Sequence, residues 1–294
     1  MSDNILIIDG MNMAYRAYYA YSKLSYKGRS TSMIFGIPSI IRPLINQYKP
    51  SRIYVVWDGD KHPKRLKLCP EYKQRDHGDR TEFFKEIERV KRLLYYLGIT
   101  QVHNEKVEGD DMIYLLLKSL PKDTKKLIVS GDKDFEQLIA KDVDVLVPNA
   151  RGSSYPSVLC LFTYAINRKG LQPNQSVDYL CLTGDNSDNI KGYHGIGEVK
   201  AAQFLDKHKS IQAFLNNAKA QFNGIDRDKL QKVYKVNKLM IDLPYFNDRY
   251  NKKKKIRYYR SRQFPVFNEE KFKAMCLKYN LKTFLTKNFQ DLFR

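Results

Sequence analysis

Over the first half of the chain, short unbroken apolar runs alternate with longer stretches in which apolar residues recur at helical spacing. Ile5 to Ile8 and Ile53 to Trp57 are continuous apolar runs of strand length, the pattern of strands buried on both faces. Leu127 to Val129 and Val143 to Val147 repeat it. Between these runs the spacing predicts helices over Ser32 to Tyr48, Thr81 to Leu97 and Asp110 to Leu120. Strand and helix in alternation predict an α/β fold with a mostly parallel central sheet flanked by helices. After about Thr163 helices dominate, near Val177 to Thr183, Glu198 to Lys207, Ile211 to Asn217, Arg227 to Met240 and Glu269 to Lys278. The expected organisation is an α/β unit over residues 1–165 and a helical one over 166–294.

Composition changes this picture in two ways. With 294 residues, 43% of them apolar, the chain has enough material for a buried core, which excludes a disordered protein. Lys and Arg number 52 against 32 Asp and Glu, so the net charge is +20 and points to a polyanionic partner, nucleic acid before a membrane surface. The opening Met-Ser-Asp-Asn-Ile-Leu-Ile-Ile-Asp is too acidic and too briefly apolar for a signal peptide or membrane span, and it reads as a first strand. Cys69, Cys160, Cys181 and Cys276 form no C-x-x-C pair, so free buried thiols and a cytoplasmic setting are expected, the host's cytoplasm for a phage-encoded chain. The run Lys252-Lys-Lys-Lys-Ile-Arg-Tyr-Tyr-Arg-Ser-Arg262 has two readings, a solvated loop or edge and a DNA contact.

The acids are placed more tellingly than the bases. Asp9 and Asp58 end the first two strands, and Asp132 and Asp134 follow the third, so three parallel strands deliver carboxylates to one sheet edge, where open α/β folds bind ligands. Glu108, Asp110 and Asp111 begin a helix, where their plain role is capping. One strand-end acid would signify a turn, but several at one edge repel: two carboxylates about 4 Å apart cost roughly 4 kcal/mol at an effective dielectric of 20. Cations must offset that cost, and hard oxygen ligands without a His or Cys cluster select Mg²⁺ or Mn²⁺ over zinc.

Asp185 and Asp188 lie three apart in a loop directly after the Val177 helix. Downstream, Gly192-Tyr-His-Gly195-Ile-Gly197 places two glycines two apart before the next helix, which lets backbone amides approach a phosphate and has the form of a helix-hairpin-helix over about 177–207. Glycine-rich turns are common, so the acidic pair beside this one is what gives it weight.

These segments together resemble the 5′-nuclease or flap endonuclease family, which includes bacteriophage enzymes and the 5′-nuclease domain of bacterial DNA polymerase I. The similar stretches are Asp9 to Arg16, Trp57-Asp58, Pro70-Glu-Tyr-Lys73, Val107 to Met112, Ser130 to Phe135 and Gly184 to Ile190, in family order, with weaker likeness at Gly28 to Gly36, Asp242-Leu-Pro244 and Phe272 to Phe284. The resemblance implies a PIN-like α/β core and a structure-specific 5′→3′ exonuclease and flap endonuclease acting in replication and RNA-primer removal. By matching positions, Asp9, Asp58, Glu108 and Asp110 would form one metal site, while Asp132, Asp134 and Asp185, sharing Asp110, would form the second. Asp111 and Asp188 would be outer ligands. Two divalent ions, or three, would activate water and stabilise the leaving oxygen. Lys73 would neutralise charge growing on the phosphate, with Arg16 as a second contact and Tyr72 and Arg75 beside it. Lys61, Lys64, Arg65 and Lys67 read individually as solvated cations.

The same resemblance makes residues 61–83 an arch over the 5′ single strand, poorly ordered over Lys64 to Gly78 without DNA. Relatives place an arginine three residues beyond the arch lysine, where this chain has Arg75 at two. They also carry a lysine two residues after the second hairpin glycine, where this chain has Val199, then Lys200. Gly192, Gly195, Gly197 and Lys200 would grip duplex DNA, with K⁺ held at the hairpin. The implied partners are DNA bearing a 5′ flap, overhang or nick, an RNA–DNA hybrid, and replication proteins, with no membrane and a monomeric chain. Two rivals stand beside this reading: a PIN-like ribonuclease, and a branched-DNA binding protein that has lost catalysis.

Overall fold

The computed structural model describes residues 4–74, 79–148, 156–168, 170–261 and 264–294. In chain order the elements begin β1 (Asn4–Asp9), α1 (Gly10–Ala20), the small hairpin β2 (Ser25–Tyr26) and β3 (Arg29–Ser30), α2 (Ser32–Tyr48), β4 (Arg52–Val56), α3 (Pro63–Leu68) and α4 (Thr81–Tyr96). They continue through β5 (Thr100–His103), α5 (Gly109–Ser119), β6 (Lys125–Val129), β7 (Val143–Val147), β8 (Ser157–Leu159) and α6 (Leu161–Asn167). The second half holds α7 (Ser176–Thr183), the short pair β9 (Gly184–Asp185) and β10 (Ile190–Lys191), α8 (Glu198–His208), α9 (Ile211–Asn216), α10 (Arg227–Ile241) and α11 (Leu243–Tyr250). β11 (Arg257–Tyr258), α12 (Glu269–Lys278) and α13 (Lys287–Gln290) close the chain.

Seven strands form one sheet in the order β11-β5-β4-β1-β6-β7-β8. The inner five run parallel, and an antiparallel strand borders each edge. The four strands legible as apolar runs are all present in its centre. Those that were not, β5, β8 and β11, are short, and β11 carries the basic run to the sheet edge.

Because side chains alternate across a strand, each inner strand feeds two cores. Ile5, Ile7, Val56, Ile128 and Val145 join the apolar side chains of α5, α7, α8 and α10 on one face. Leu6, Ile8, Val55, Trp57, Leu127 and Leu146 join α1, α2 and α4 on the other. The helical second half therefore does not stand apart. α7 to α10 extend the first core, whereas Phe272, Phe284 and Phe289 return to complete the second. Phe289 is fully buried and stacks on Phe284 with ring centroids 4.6 Å apart.

Candidate active site

Parallel strands bring their C-terminal ends to one edge, and the acids sit there. Asp9 ends β1 and caps α1, accepting from the Asn12 amide at 3.0 Å and from Ser130 Oγ at 2.8 Å, which ties β1 to the loop after β6. Asp132 caps the short 3₁₀ turn Lys133–Leu138 by accepting from the Asp134 amide at 3.0 Å. That turn drives Asp134 inward until it is 6% exposed, with Oδ1 making no hydrogen bond. At the start of α5, Glu108 is the N-cap residue but its side chain makes no capping bond, so the plain capping role fails there. The Gly109 amide donates instead to Asp58 Oδ1, and a Cβ at 109 would lie 2.2 Å from that oxygen, so only glycine admits the contact. Asp185 is braced in its turn by the Ser187 amide and hydroxyl at 2.7 and 2.6 Å.

Asp9, Asp58, Asp110, Asp132 and Asp188 line one cleft of about 1490 Å³. Asp110 is its electrostatic hub. Burial, then the Asp110 charge, pushes the Asp9 carboxyl up to about 8. Asp58 opens onto the cleft, yet loss of bulk water within it and Asp110 raise its carboxyl to about 6. Asp132 rises to about 6 for the same two reasons. Burial raises Asp188 to about 7, against the opposing pull of Lys73. Asp134 is raised well above the usual carboxylate range by burial and by four neighbouring acids. Asp134, Asp185 and Asp188 bring ligand oxygens within 4.8 Å of one another. Mutual repulsion, a buried oxygen without a partner and an all-oxygen donor set fit a divalent cation that takes oxygen ligands.

Lys73 and Arg65 divide the remaining acids. Lys73 Nζ lies 2.9 Å from Asp110, 3.3 Å from Glu108 and 3.6 Å from Asp188, and the residue adopts a left-handed backbone with φ of 49°. Arg65 is the larger surprise. Expected to be solvated, it is 1% exposed, pairs with Glu108 at 2.7 Å and forks onto Asp111 at 2.7 and 3.0 Å. Burial alone would raise Glu108, but Arg65, Lys73 and the His62 amide hold it at about 2.

Asp111 is fully buried between Arg65 and the Asn247 amide group, 2.7 Å away. Among the described residues no close set of ligand oxygens joins Glu108 to Asp9, Asp58 and Asp110. Lys73 occupies the space between Glu108 and Asp110, and among the described residues Asp188, not Asp132, completes the close set with Asp134 and Asp185.

The arch divides in the same way. Within the stretch expected to form it, α3 packs through Arg65, and Lys61 Nζ binds the carbonyls of Tyr72 and Lys73 at 3.2 and 2.8 Å. Tyr72 is 2% exposed and donates to Glu108 at 2.9 Å. Arg75 lies outside the described residues, as does the rest of 75–78. Arg16, on α1, reaches the loop before Asp132, with its Nη2 3.9 Å from where a Gly131 side chain would begin.

At the glycine turn, Gly195 has φ of 80° and Gly197 caps α8, both facing open space. Lys200 is exposed and bonds the Gly195 carbonyl at 3.3 Å. Gly192 does something different: a Cβ there would meet the Gly184 nitrogen at 2.4 Å, so its glycine serves close packing of the turn beneath Asp185.

Sequence reasoning missed Arg65 and the two asparagines behind it, Asn247 and Asn251. These lie four apart on and just beyond α11 and are both fully buried, a spacing that only a known inward face would have made informative.

A five-stranded parallel core with two antiparallel edges, presenting acids at its C-terminal edge beside a helical unit, is a PIN-like, resolvase-like architecture. Residues 4–159 match the model of the 5′-3′ exonuclease N-terminal resolvase-like domain, and residues 171–255 match that of the 5′-3′ exonuclease C-terminal SAM fold. The chain belongs to the 5′-3′ exonuclease family. It is 32% identical to a 5′-3′ exonuclease of Aquifex aeolicus, over 81% of this chain and 82% of that protein. It is also 32% identical to DNA polymerase I of Mycobacterium bovis over 74% of this chain, but spans only 24% of that polymerase. Among solved structures, the flap endonuclease of bacteriophage T5, in a pseudo-enzyme–product complex with DNA and metal ions, shares the fold with a TM-score of 0.66 and 21% identity, covering 83% of this chain and 90% of its own.

Proposed function

We propose that this chain is a structure-specific 5′ nuclease that hydrolyses DNA phosphodiesters near 5′ ends and flaps, with two Mg²⁺ or Mn²⁺ ions held by the sheet-edge acids. The observation that carries the reading is the convergence of Asp9, Asp58, Asp110, Asp132 and Asp188 in one cleft, with the Lys73 ammonium 2.9 Å from Asp110. Asp134 and Asp185 complete the ligand set through Asp188. Bound there, the ions would supply Lewis-acid neutralisation of the scissile phosphate.

The remaining work belongs to the chain's own side chains. Lys73, held by its neighbours at the cleft wall, neutralises charge that develops on a phosphate oxygen. Arg65 keeps Glu108 ionised and fixed beside it. Gly195 and Gly197 present open backbone at the α8 N-terminus, which suits the phosphates of a duplex gripped as in a helix-hairpin-helix, with Lys200 beside them and K⁺ bound at the turn. A monomeric replication enzyme that removes RNA primers in the cytoplasm is the setting we infer.

A labelled 5′-flap duplex and a single-stranded RNA, each incubated with Mg²⁺, Mn²⁺ or chelator, test this. Cutting of the flap in either metal is expected, with none in chelator, and Asp134→Asn should lower the rate by about a thousandfold or more, the several kcal/mol of charge stabilisation a metal ligand supports. Metal-dependent cutting of the RNA alone would overturn the assignment to DNA.

A further inference from the structure

One motif remains outside this function: the basic run from Lys252. Between Arg249 and Asn268 the sequence holds no acid. Lys252, Lys253, Lys255, Arg257 and Arg260 are exposed, and none of these five forms a salt bridge among the described residues.

The run is fixed rather than loose. Ile256 and Tyr258 pack against the core of the sheet, so by strand alternation Lys255 and Arg257 face outward. The Asn104 side chain holds the Lys255 carbonyl at 2.8 Å. At its other end Asn251, fully buried, donates to Asp111 at 3.4 Å, next in sequence to the electrostatic hub.

Arg257 pairs with His103 across β11 and β5, and His103 lines the cleft that holds the acids. In the sheet order, β11 and β5 lie on one side of β4 and β1, while β6 lies on the other, where α7 contacts the turn bearing Asp134 and leads to the glycine turn. The acids thus lie between the glycine turn and the basic edge. A strand whose duplex part is held at the turn would run past the acids and emerge at β11. Arg260, with its guanidinium 5.3 Å from the Tyr95 ring and 5.5 Å from that of Tyr259, adds aromatic surface of the kind on which unpaired bases stack. The family match ends at residue 255, so β11 itself lies beyond it.

We infer that the Lys252–Arg257 edge binds the phosphates of the unpaired 5′ strand as it leaves the cleft, a surface for single-stranded DNA distinct from the duplex grip. The inference rests on the nuclease reading for the direction of the strand, and its test is read by binding, not cutting. On an Asp134→Asn background, dissociation constants are measured across a salt series for a nicked duplex with no flap and for the same duplex with a long oligothymidine 5′ flap.

Combined Lys252→Ser, Lys253→Ser, Lys255→Ser and Arg257→Ser should weaken binding of the flapped duplex by at least about tenfold and lower its log-log salt slope by about 2 to 3, at roughly 0.7 per single-strand phosphate. The flap-free duplex should change by less than about twofold. Arginine at the three lysine positions should retain flap affinity. Equal loss on both duplexes, loss on neither, or loss only in binding to phosphatidylserine vesicles would each overturn the inference. Failure of the wild type to cut DNA would instead strike the nuclease reading, and the flap effect on affinity would still be read.

Discussion

Two sets of acids meet at the start of α5, and they are held in opposite ways. Glu108 and Asp111 are buried against Arg65, which neutralises both within hydrogen-bonding distance. Asp9, Asp132 and Asp188 line one cleft, with Asp134 buried close to Asp188, and burial and neighbouring acids raise all four carboxyls. The first set has a guanidinium in direct contact with both members, whereas the second has the Lys73 ammonium at its rim, 3.6 Å from Asp188, where burial outweighs it. Identical residue types thus divide into ion-pair partners and cleft acids by their surroundings alone. Asp110 and Asp111 are neighbours in sequence and fall on different sides.

The largest test of that contrast is a pair of isosteric changes with opposite signs. Asp111→Asn removes one partner of a buried ion pair and leaves Arg65 undercompensated, which costs about 3–5 kcal/mol. At roughly 2–4 °C per kcal/mol for a chain of this size, the melting temperature should fall by on the order of 10 °C. Asp134→Asn, in metal-free protein at pH 8, removes a carboxyl whose ionised form burial and neighbours oppose, and should raise stability by on the order of 2 kcal/mol. Calorimetry of both variants in chelator decides the matter. Destabilisation by both would erase the distinction between the sets.

The pH dependence is a smaller effect with a definite sign. A carboxyl raised in the native state, such as Asp9 at about 8 or Asp188 at about 7, binds its proton more tightly folded than unfolded. The stability this confers is complete below the unfolded value near 4 and is lost as pH rises through the folded value. Between pH 5 and 7 Asp9 keeps its proton in the native state and Asp188 does so over most of the range, so at about 1.4 kcal/mol per pH unit for each the slope is roughly −2 to −3 kcal/mol per pH unit. Glu108, held at about 2, acts in the opposite sense: the stability it confers is present above the unfolded value and is lost as pH falls toward 2. Denaturant unfolding of metal-free protein should show the decline, and saturating Mg²⁺ should flatten it by occupying the ionised carboxylates. A slope that persists unchanged in Mg²⁺ would separate these acids from the metal site.

How legible this was in the sequence follows the same division. The strand-end acids could be read because their positions are set by local grammar: an apolar run, then Asp, in each of three parallel strands. Helix boundaries such as Ser32–Tyr48 and Glu269–Lys278 were legible for the same reason. The partner of each acid was not, because it comes from far along the chain. Arg65 meets Asp111 46 positions away and Asn247 meets it 136 positions away, and nothing local distinguishes Arg65 from the half-buried Lys64 and the exposed Lys67 beside it. β11 was hidden for a related reason. Its run reads as charge, and only the docking of Ile256 and Tyr258 makes it a strand.

Tyr72 gives the finest test, because it sits at the seam between the two sets. Its hydroxyl donates to Glu108 Oε2, while its ring lies 5.3 Å from Lys73 Nζ. If it belongs to the scaffold, Tyr72→Phe removes one hydrogen bond to a charged acceptor that retains Arg65 and the His62 amide. That costs about 1–2 kcal/mol and lowers the melting temperature by roughly 2–6 °C. Glu108 stays ionised, so DNA affinity should change by less than about twofold, since a residue 2% exposed offers DNA nothing to touch. Lys73→Ala should behave in the reverse manner, with the cleavage rate down by about a hundredfold, as for loss of one preorganised cation at the phosphate. Because both residues lie in the same turn of the arch, a shared loss of DNA binding in the two variants would mean that the turn opens when substrate arrives and that Tyr72 leaves Glu108 to meet it.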